Sequence, residues 1–188
     1  PEAYVPQRDL FIEKDSARLK AVATNVPLTM GGRLGDIFQE WAVRHAQTHL
    51  GSFFNNARVL FFSGMTDYKL ALSIAEYTTN LQFADPLLQL GVPKLLGSLD
   101  ALNLYANGAH YVKDWTLPSA MASGPVKEWT QFVLRKAMQK ASVIVAPVHE
   151  LDDFGLEDLA GKTVITATVN DERIAQFGAK GVATIIDG

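Results

Sequence analysis

The residues able to do chemistry gather in two places along the chain. The first is Arg58–Asp85, RVLFFSGMTDYKLALSIAEYTTNLQFAD, where a turn carries Ser63, Gly64 and Thr66 and the segment closes on Asp85. A turn between a strand and a helix offers unpaired backbone N–H groups and the positive end of the helix dipole, a seat for phosphate. An acid at the end of the next strand is placed to accept from the hydroxyls of a nucleotide ribose. The separation fits: 85 − 64 = 21 residues, against about 20 from glycine turn to ribose acid in dinucleotide-binding domains. On this reading Ser63, Gly64 and Thr66 line a pyrophosphate. Asp85 binds the ribose and favours NAD over NADP, because its charge repels a 2′-phosphate. One glycine stands where the fingerprint has three, and Asp67 sets a negative charge at the helix start. The same residues have structural roles open to them: Asp67 or Thr66 as a helix cap, and Asp85 with Pro86 as cap and first helical residue.

The second place follows the apolar run Ser142–Ala146, where Pro147, His149 and Glu150 come in close order. Imidazole titrates near neutrality, so His149 is the candidate general acid or base, with Glu150 and the pair Asp152 and Asp153 able to orient it. Pro147 would line the cofactor from that side. The bland alternative is a solvated histidine among acids. Thr166 and Thr168 either face a ligand or complete a strand. Arg33, after Gly31 and Gly32, can reach an anionic substrate. His45 and His49 share a helix face, but zinc needs a third ligand, and neither an HExxH pattern, a GxSxG elbow nor a P-loop occurs.

Short apolar runs alternating with helices must position these residues. Strands are expected at 59–63, 81–84, 143–147, 163–168 and 182–186. Leu34, Ile37, Phe38, Trp41, Ala42 and His45 recur at helical spacing to about Thr48, as do Leu70, Ile74 and Tyr77 with Ala71 and Ala75. Pro86–Leu90 reads as a helical turn stopped by Gly91 and Pro93, and Lys94–Tyr105 as an apolar helix stopped by Asn107 and Gly108. Residues 106–124 read as an irregular excursion, with a helix starting at Gly124 and Pro125. Residues 148–161 read as a polar connection with a turn at Leu156–Leu159, and Asn170 as the cap of a helix. The pattern predicts an α/β, doubly wound, parallel five-stranded sheet of Rossmann-like type with the first and third strands adjacent. A crevice then opens outside their carboxyl ends, joining Ser63–Asp67 to Pro147–Glu150. Residues 1–55 are expected to form a small N-terminal α/β lobe, with a short strand at 10–12, a short helix ending at Val22 and a linking helix. Residues 56–188 are expected to form the nucleotide-binding domain.

Composition narrows the function classes. A net charge of −3 gives no electrostatic footprint for nucleic acid. The absence of cysteine removes disulfides, thiolate metal sites and cysteine nucleophiles. No apolar run approaches about 18 residues, so no membrane partner is expected. The expected setting is cytoplasmic, with a small-molecule ligand and a possible homo-oligomer. The chain opens on Pro1 and closes on the strand-like Ile185 and Ile186, which reads as an excised piece lacking a C-terminal helix.

Three segments carry a resemblance: RVLFFSGMTDYKLALSIAE, ADPLLQLGVPKLLGSLDAL, and ASVIVAPVHELDDFGLEDLAGKTVITATVNDERIAQFGAKGVATII. In order and spacing they resemble a bacterial family of quinate 5-dehydrogenase-like proteins, with VPLTMGGRL matching its strand-turn before a linking helix. The resemblance implies a Rossmann-type domain and NAD(P)-dependent oxidation of a small hydroxylated ring acid, related to shikimate dehydrogenase chemistry. The chain departs from the shikimate-type Asn-Val-Thr-x-Pro-x-Lys segment: Asn25-Val26-Pro27-Leu28-Thr29-Met30 keeps the first two residues and has no lysine. The leading expectation is therefore an NAD(P)-dependent oxidoreductase-like protein. The alternatives are a non-catalytic nucleotide- or ligand-binding module on the same fold, or an S-adenosylmethionine-dependent methyltransferase, which also holds a ribose with an acid after the second strand.

Overall fold

The computed structural model describes residues 32–112, 125–154, 159–166 and 169–187. In chain order it has helix α1 (Gly32–His49), strand β1 (Val59–Phe61), α2 (Tyr68–Ala75), β2 (Leu81–Phe83), α3 (Asp85–Leu90) and α4 (Leu99–Val112). Then follow α5 (Pro125–Lys140), β3 (Val143–Val145), α6 (Val148–Phe154), β4 (Thr163–Thr166), α7 (Asp171–Ala179) and β5 (Thr184–Asp187). The five strands are all parallel, in the order β2-β1-β3-β4-β5. This is the flavodoxin-like doubly wound order, which reverses between β1 and β3. All five expected strands form, and β1 and β3 are neighbours in the register Phe61↔Val145.

The sheet forms here because its runs are apolar on both faces. In β1 and β3 every residue is buried, as a parallel sheet covered by helices on both sides requires. Alternation then divides the core. Val59, Phe61, Val143, Val145 and Ile165 face one cluster with Leu70, Ile74 and Leu102. Leu60, Ile144 and Val164 face the other with Leu134, Met138, Leu151 and Phe177. Right-handed crossovers dictate this split. The connection β1–α2–β2 runs one way along the sheet and β3–α6–β4–α7–β5 the other, so their helices fall on opposite faces. That would leave β3 and β4 bare on the α2 side. Helix α1 covers them there: its Val43 and Ala46 pack in one cluster with Val143, Val145 and Ile165. The helix expected to link a separate lobe thus belongs to the core of the sheet domain.

Three local expectations are corrected. Lys94–Ser98 is not helical: Phe83 donates to the Leu96 carbonyl at 2.9 Å and Leu96 donates back at 3.0 Å, an antiparallel bridge on the outer side of β2. Leu95 and Leu96 fit that edge as well as they fit a helix, and the unpaired edge of a sheet favours any segment that bonds to it. Helix α4 starts at Leu99, with Ala101 N–H donating to the Ser98 hydroxyl at 3.1 Å. It runs through Asn107 and Gly108 to Val112, since one glycine inside a helix costs only about 1 kcal/mol. Residues 106–112 are therefore helix. The connection after β3 also holds a helix, α6, anchored by fully buried Leu151. The short strand at 10–12, the helix ending at Val22, Gly31, Thr168 and the turn residues 156–158 lie outside the described residues.

Candidate functional site

The carboxyl edge of the sheet brings the two chemical segments together. Phe62 N–H donates to the Val145 carbonyl at 2.9 Å and Ala146 N–H to the Ile165 carbonyl at 3.1 Å, so the ladder holds both chain segments past the strand ends. The Ser63 hydroxyl then donates to Glu150 Oε1 at 2.6 Å. These residues are 87 positions apart in the chain, and their meeting is what the expected adjacency of β1 and β3 requires.

The turn after β1 is occupied by the protein itself. Gly64 N–H donates to Asp85 Oδ2 at 3.0 Å and Met65 N–H to Asp85 Oδ1 at 2.9 Å. Asp85 is fully buried. It is the first residue of α3, with Ala84 as the N-cap, and its carboxylate turns back into the β1 turn. Burial pushes its carboxyl up to about 6, against the backbone amides of Met65, Gly64 and Asp85 itself that lower it, with the Glu150 charge adding to the rise. The phenol of Tyr105 is pushed up by burial and then by the Asp85 charge. Gly64 has a packing reason to be glycine: a Cβ there would stand 2.3 Å from Cδ1 of Phe83. The expected ribose contact of Asp85 and pyrophosphate contact of Gly64 do not fit this geometry. The amides that would hold a phosphate hold a buried carboxylate, and no ribose hydroxyl reaches that carboxylate. Ser63 is engaged by Glu150, and Thr66 is exposed, its N–H donating to the Ser63 carbonyl at 3.0 Å. Asp67 takes the N-cap position of α2 without a side-chain cap bond.

A pocket of about 490 Å³ opens beside this turn, outside the carboxyl ends of β3 and β4. Its apolar wall is Leu70, Val145, Ala146 and Ile165, and it takes in Pro147 and His149 from the start of α6. The expected catalytic His149 and cofactor-lining Pro147 therefore lie on a cavity, while Ser63, Gly64, Thr66 and Asp85 do not line it. His149 is exposed, in the first turn of a helix rather than in a loop. Arg33 falls in the first turn of α1, and its side chain lies outside the described residues. His45 and His49 stack with ring centroids 3.9 Å apart, and His49 Nδ1 lies 3.0 Å from the His45 carbonyl oxygen. Among the described residues no group of three histidines or acids is placed to hold a metal.

The polar groups of the pocket come from five parts of the fold. Gln39 of α1, Asp67 before α2, Asp152 of α6 and Arg173 of α7 join Thr166 at the end of β4. Arg173 is held in place twice over: Nη1 and Nη2 each donate to Asp152 at 2.6 Å, and Nη1 donates to Gln176 Oε1 at 2.9 Å. The Asp152 hydrogen bond raises the guanidinium pKa further. Thr166 is only 6 % exposed, and among the described residues its Oγ1 has no hydrogen-bond partner; the same is true of Gln39 Oε1. Thr166 was legible as a strand-end residue facing either a ligand or the fold. Gln39 and Arg173 carry no sequence signal, because their place on the pocket depends on how α1 and α7 cross the sheet.

A family model described as a domain of unknown function (DUF8754) matches residues 33–188, from the start of α1 through β5. The chain belongs to this family. No curated protein and no solved structure matches it. The matched region takes in α1, which the packing also assigns to the sheet domain. Among the described residues of this family member, no helix is long and apolar enough to cross a membrane.

Proposed function

We propose that this chain is a small-molecule-binding α/β domain, with its ligand in the pocket at the carboxyl ends of β3 and β4 and His149 beside it as proton donor or acceptor. The observation that supports this is the buried Thr166 hydroxyl, unpartnered among the described residues and lining the cavity. Folded proteins pair nearly all buried polar groups, because an unpaired one costs about 1–3 kcal/mol. Gln39 Oε1 is a second such atom on the same cavity. Unsatisfied polar atoms over an apolar wall are the features of a site whose ligand completes the hydrogen bonding.

A second reading is an NAD(P)-dependent oxidoreductase acting on a small hydroxylated acid. The strand order favours it, because doubly wound sheets seat nucleotides where the order reverses. In that reading the dinucleotide is held without Asp85 and without the Gly64 and Met65 amides. The test is amide chemical-shift mapping with NAD, NADP, S-adenosylmethionine and a general fragment library. Ligand-induced shifts are expected to cluster on residues 145–152 and 165–173. Thr166→Val is expected to weaken the hits about tenfold, the equivalent of one hydrogen bond of about 1.4 kcal/mol. Saturable binding of NAD or NADP in the pocket selects the oxidoreductase reading. A library without hits there, or hits confined to residues 63–66, overturns the pocket assignment.

A further inference from the structure

Arg173 is anchored at both ends. Its backbone N–H donates to the Asn170 cap at 2.9 Å, which fixes its Cα at the start of α7. Its guanidinium carries five N–H donors in one rigid plane. Three are engaged: Nη1 donates to Asp152 Oδ1 at 2.6 Å and to Gln176 Oε1 at 2.9 Å, and Nη2 donates to Asp152 Oδ2 at 2.6 Å. Asp152 therefore fills the edge between the two terminal nitrogens, and Gln176 the other side of Nη1. Among the described residues no hydrogen bond engages the Nε–H or the second Nη2–H. These two point the same way from one edge of the plane, a second fork that matches two acceptor atoms side by side. The side chain keeps 29 % exposure and lines the cavity, so a ligand can reach that edge. Thr166, at the end of the preceding strand, brings to the same cavity its buried hydroxyl, unpartnered among the described residues.

Resting on the ligand-site reading above, we infer that Arg173 is the recognition residue of the pocket and that its ligand presents two coplanar acceptor atoms side by side to the Nε–Nη2 edge. A carboxylate has such an edge, and so does an oxopurine through its O6 and N7 atoms. The contact selects on the placement of the two acceptors. The Asp152 carboxylate already balances the guanidinium, so a neutral edge and an anionic one both fit. Thr166 bonds the ligand beside the fork, its hydroxyl able to donate or accept, and the body lies on Leu70, Val145 and Ile165. Asp152 and Gln176 are positioning residues, since they hold the plane of the guanidinium and leave that one edge open.

Two matched pairs separate the outcomes at neutral pH: benzoate with benzamide, and guanosine with adenosine. Within each pair the first compound has two adjacent acceptors and the second has a donor in place of one of them. Each is titrated into the protein while pocket amide shifts are followed. In at least one pair the two-acceptor compound is expected to shift residues 145–152 and 165–173 with at least tenfold higher affinity than its partner, and which pair it is tells an anionic edge from a neutral one. Arg173→Lys keeps the positive charge and removes the planar fork. It is expected to bring the two members of that pair to within twofold of each other while the amide spectrum stays folded. Binding with no preference inside either pair overturns the inference and leaves the ligand site standing, a result that needs no variant. A preference that survives Arg173→Lys overturns the role of Arg173. Pocket amides unmoved by all four compounds count against the site itself, and the inference falls with it.

Discussion

At the scale of single residues, Asp85 decides how the β1 turn is read. Two buried amides and one buried carboxylate satisfy each other, so removing the acid strands Gly64 and Met65 N–H. Asp85→Ala is expected to cost about 2–4 kcal/mol in denaturant unfolding, one unsatisfied-donor penalty for each amide. The acid also leaves a pH signature. Its carboxyl sits at about 6 in the fold, above the ordinary 3.8. The folded state therefore binds the proton more tightly, and stability falls as pH rises between about 4 and 6, then levels off. Relative to Asp85→Asn, which does not titrate, the wild type is expected to lose roughly 3 kcal/mol across that window. Parallel stability curves for the two proteins would show that Asp85 titrates as an ordinary surface acid. Gly64 answers to packing: Gly64→Ala drives a methyl into the Phe83 ring and is expected to destabilise by about 1–3 kcal/mol, read as a shift in the unfolding midpoint. The spacing of Gly64 and Asp85 was legible in the sequence, but its meaning was not. A glycine turn and an acid 21 residues on are the pattern both of a nucleotide site and of a carboxylate that fills the turn itself. Which of the two holds depends on whether the acid points outward from the strand end or back into the turn.

At the scale of elements, the strands were the readable part. Three or four consecutive apolar or β-branched residues between turns suit a sheet buried on both faces, and each expected run became a strand. The Asn170 cap was equally plain, and its side chain accepts from Arg173 N–H at 2.9 Å. Asn170→Ala is expected to cost about 1 kcal/mol of unfolding free energy; an unchanged value would mean the cap bond contributes nothing in solution. The elements misread were those fixed by tertiary contact rather than local pattern. Lys94–Ser98 takes its shape from the edge of β2, through the bridge between Leu96 and Phe83. Helix α6 is a short, acid-rich segment anchored by the buried Leu151, which local propensity does not mark. Helix α1 showed its amphipathic character, but not that its Val43 and Ala46 would close the side of β3 and β4 that the crossovers leave open.

At the scale of the whole molecule, the sheet order and the meeting of the Ser63 and His149 segments follow from alternating strands and helices and right-handed crossovers, so the edge that carries the site could be inferred from the sequence. The contents of that edge could not. Four elements from across the chain supply Gln39, Asp67, Arg173 and Thr166 to one cavity, and only packing brings them into register. The central claim is that the fold holds a polar group unpaired there for a ligand, and Thr166→Val tests it most directly. The change keeps the side chain's shape and removes the hydroxyl. Because the folded chain gains nothing from that group, unfolding free energy is expected to stay level or rise by about 1–2 kcal/mol, the trade of stability for a site that binding residues show. A loss of more than about 1 kcal/mol would mean the hydroxyl is bonded within the fold and would contradict the claim.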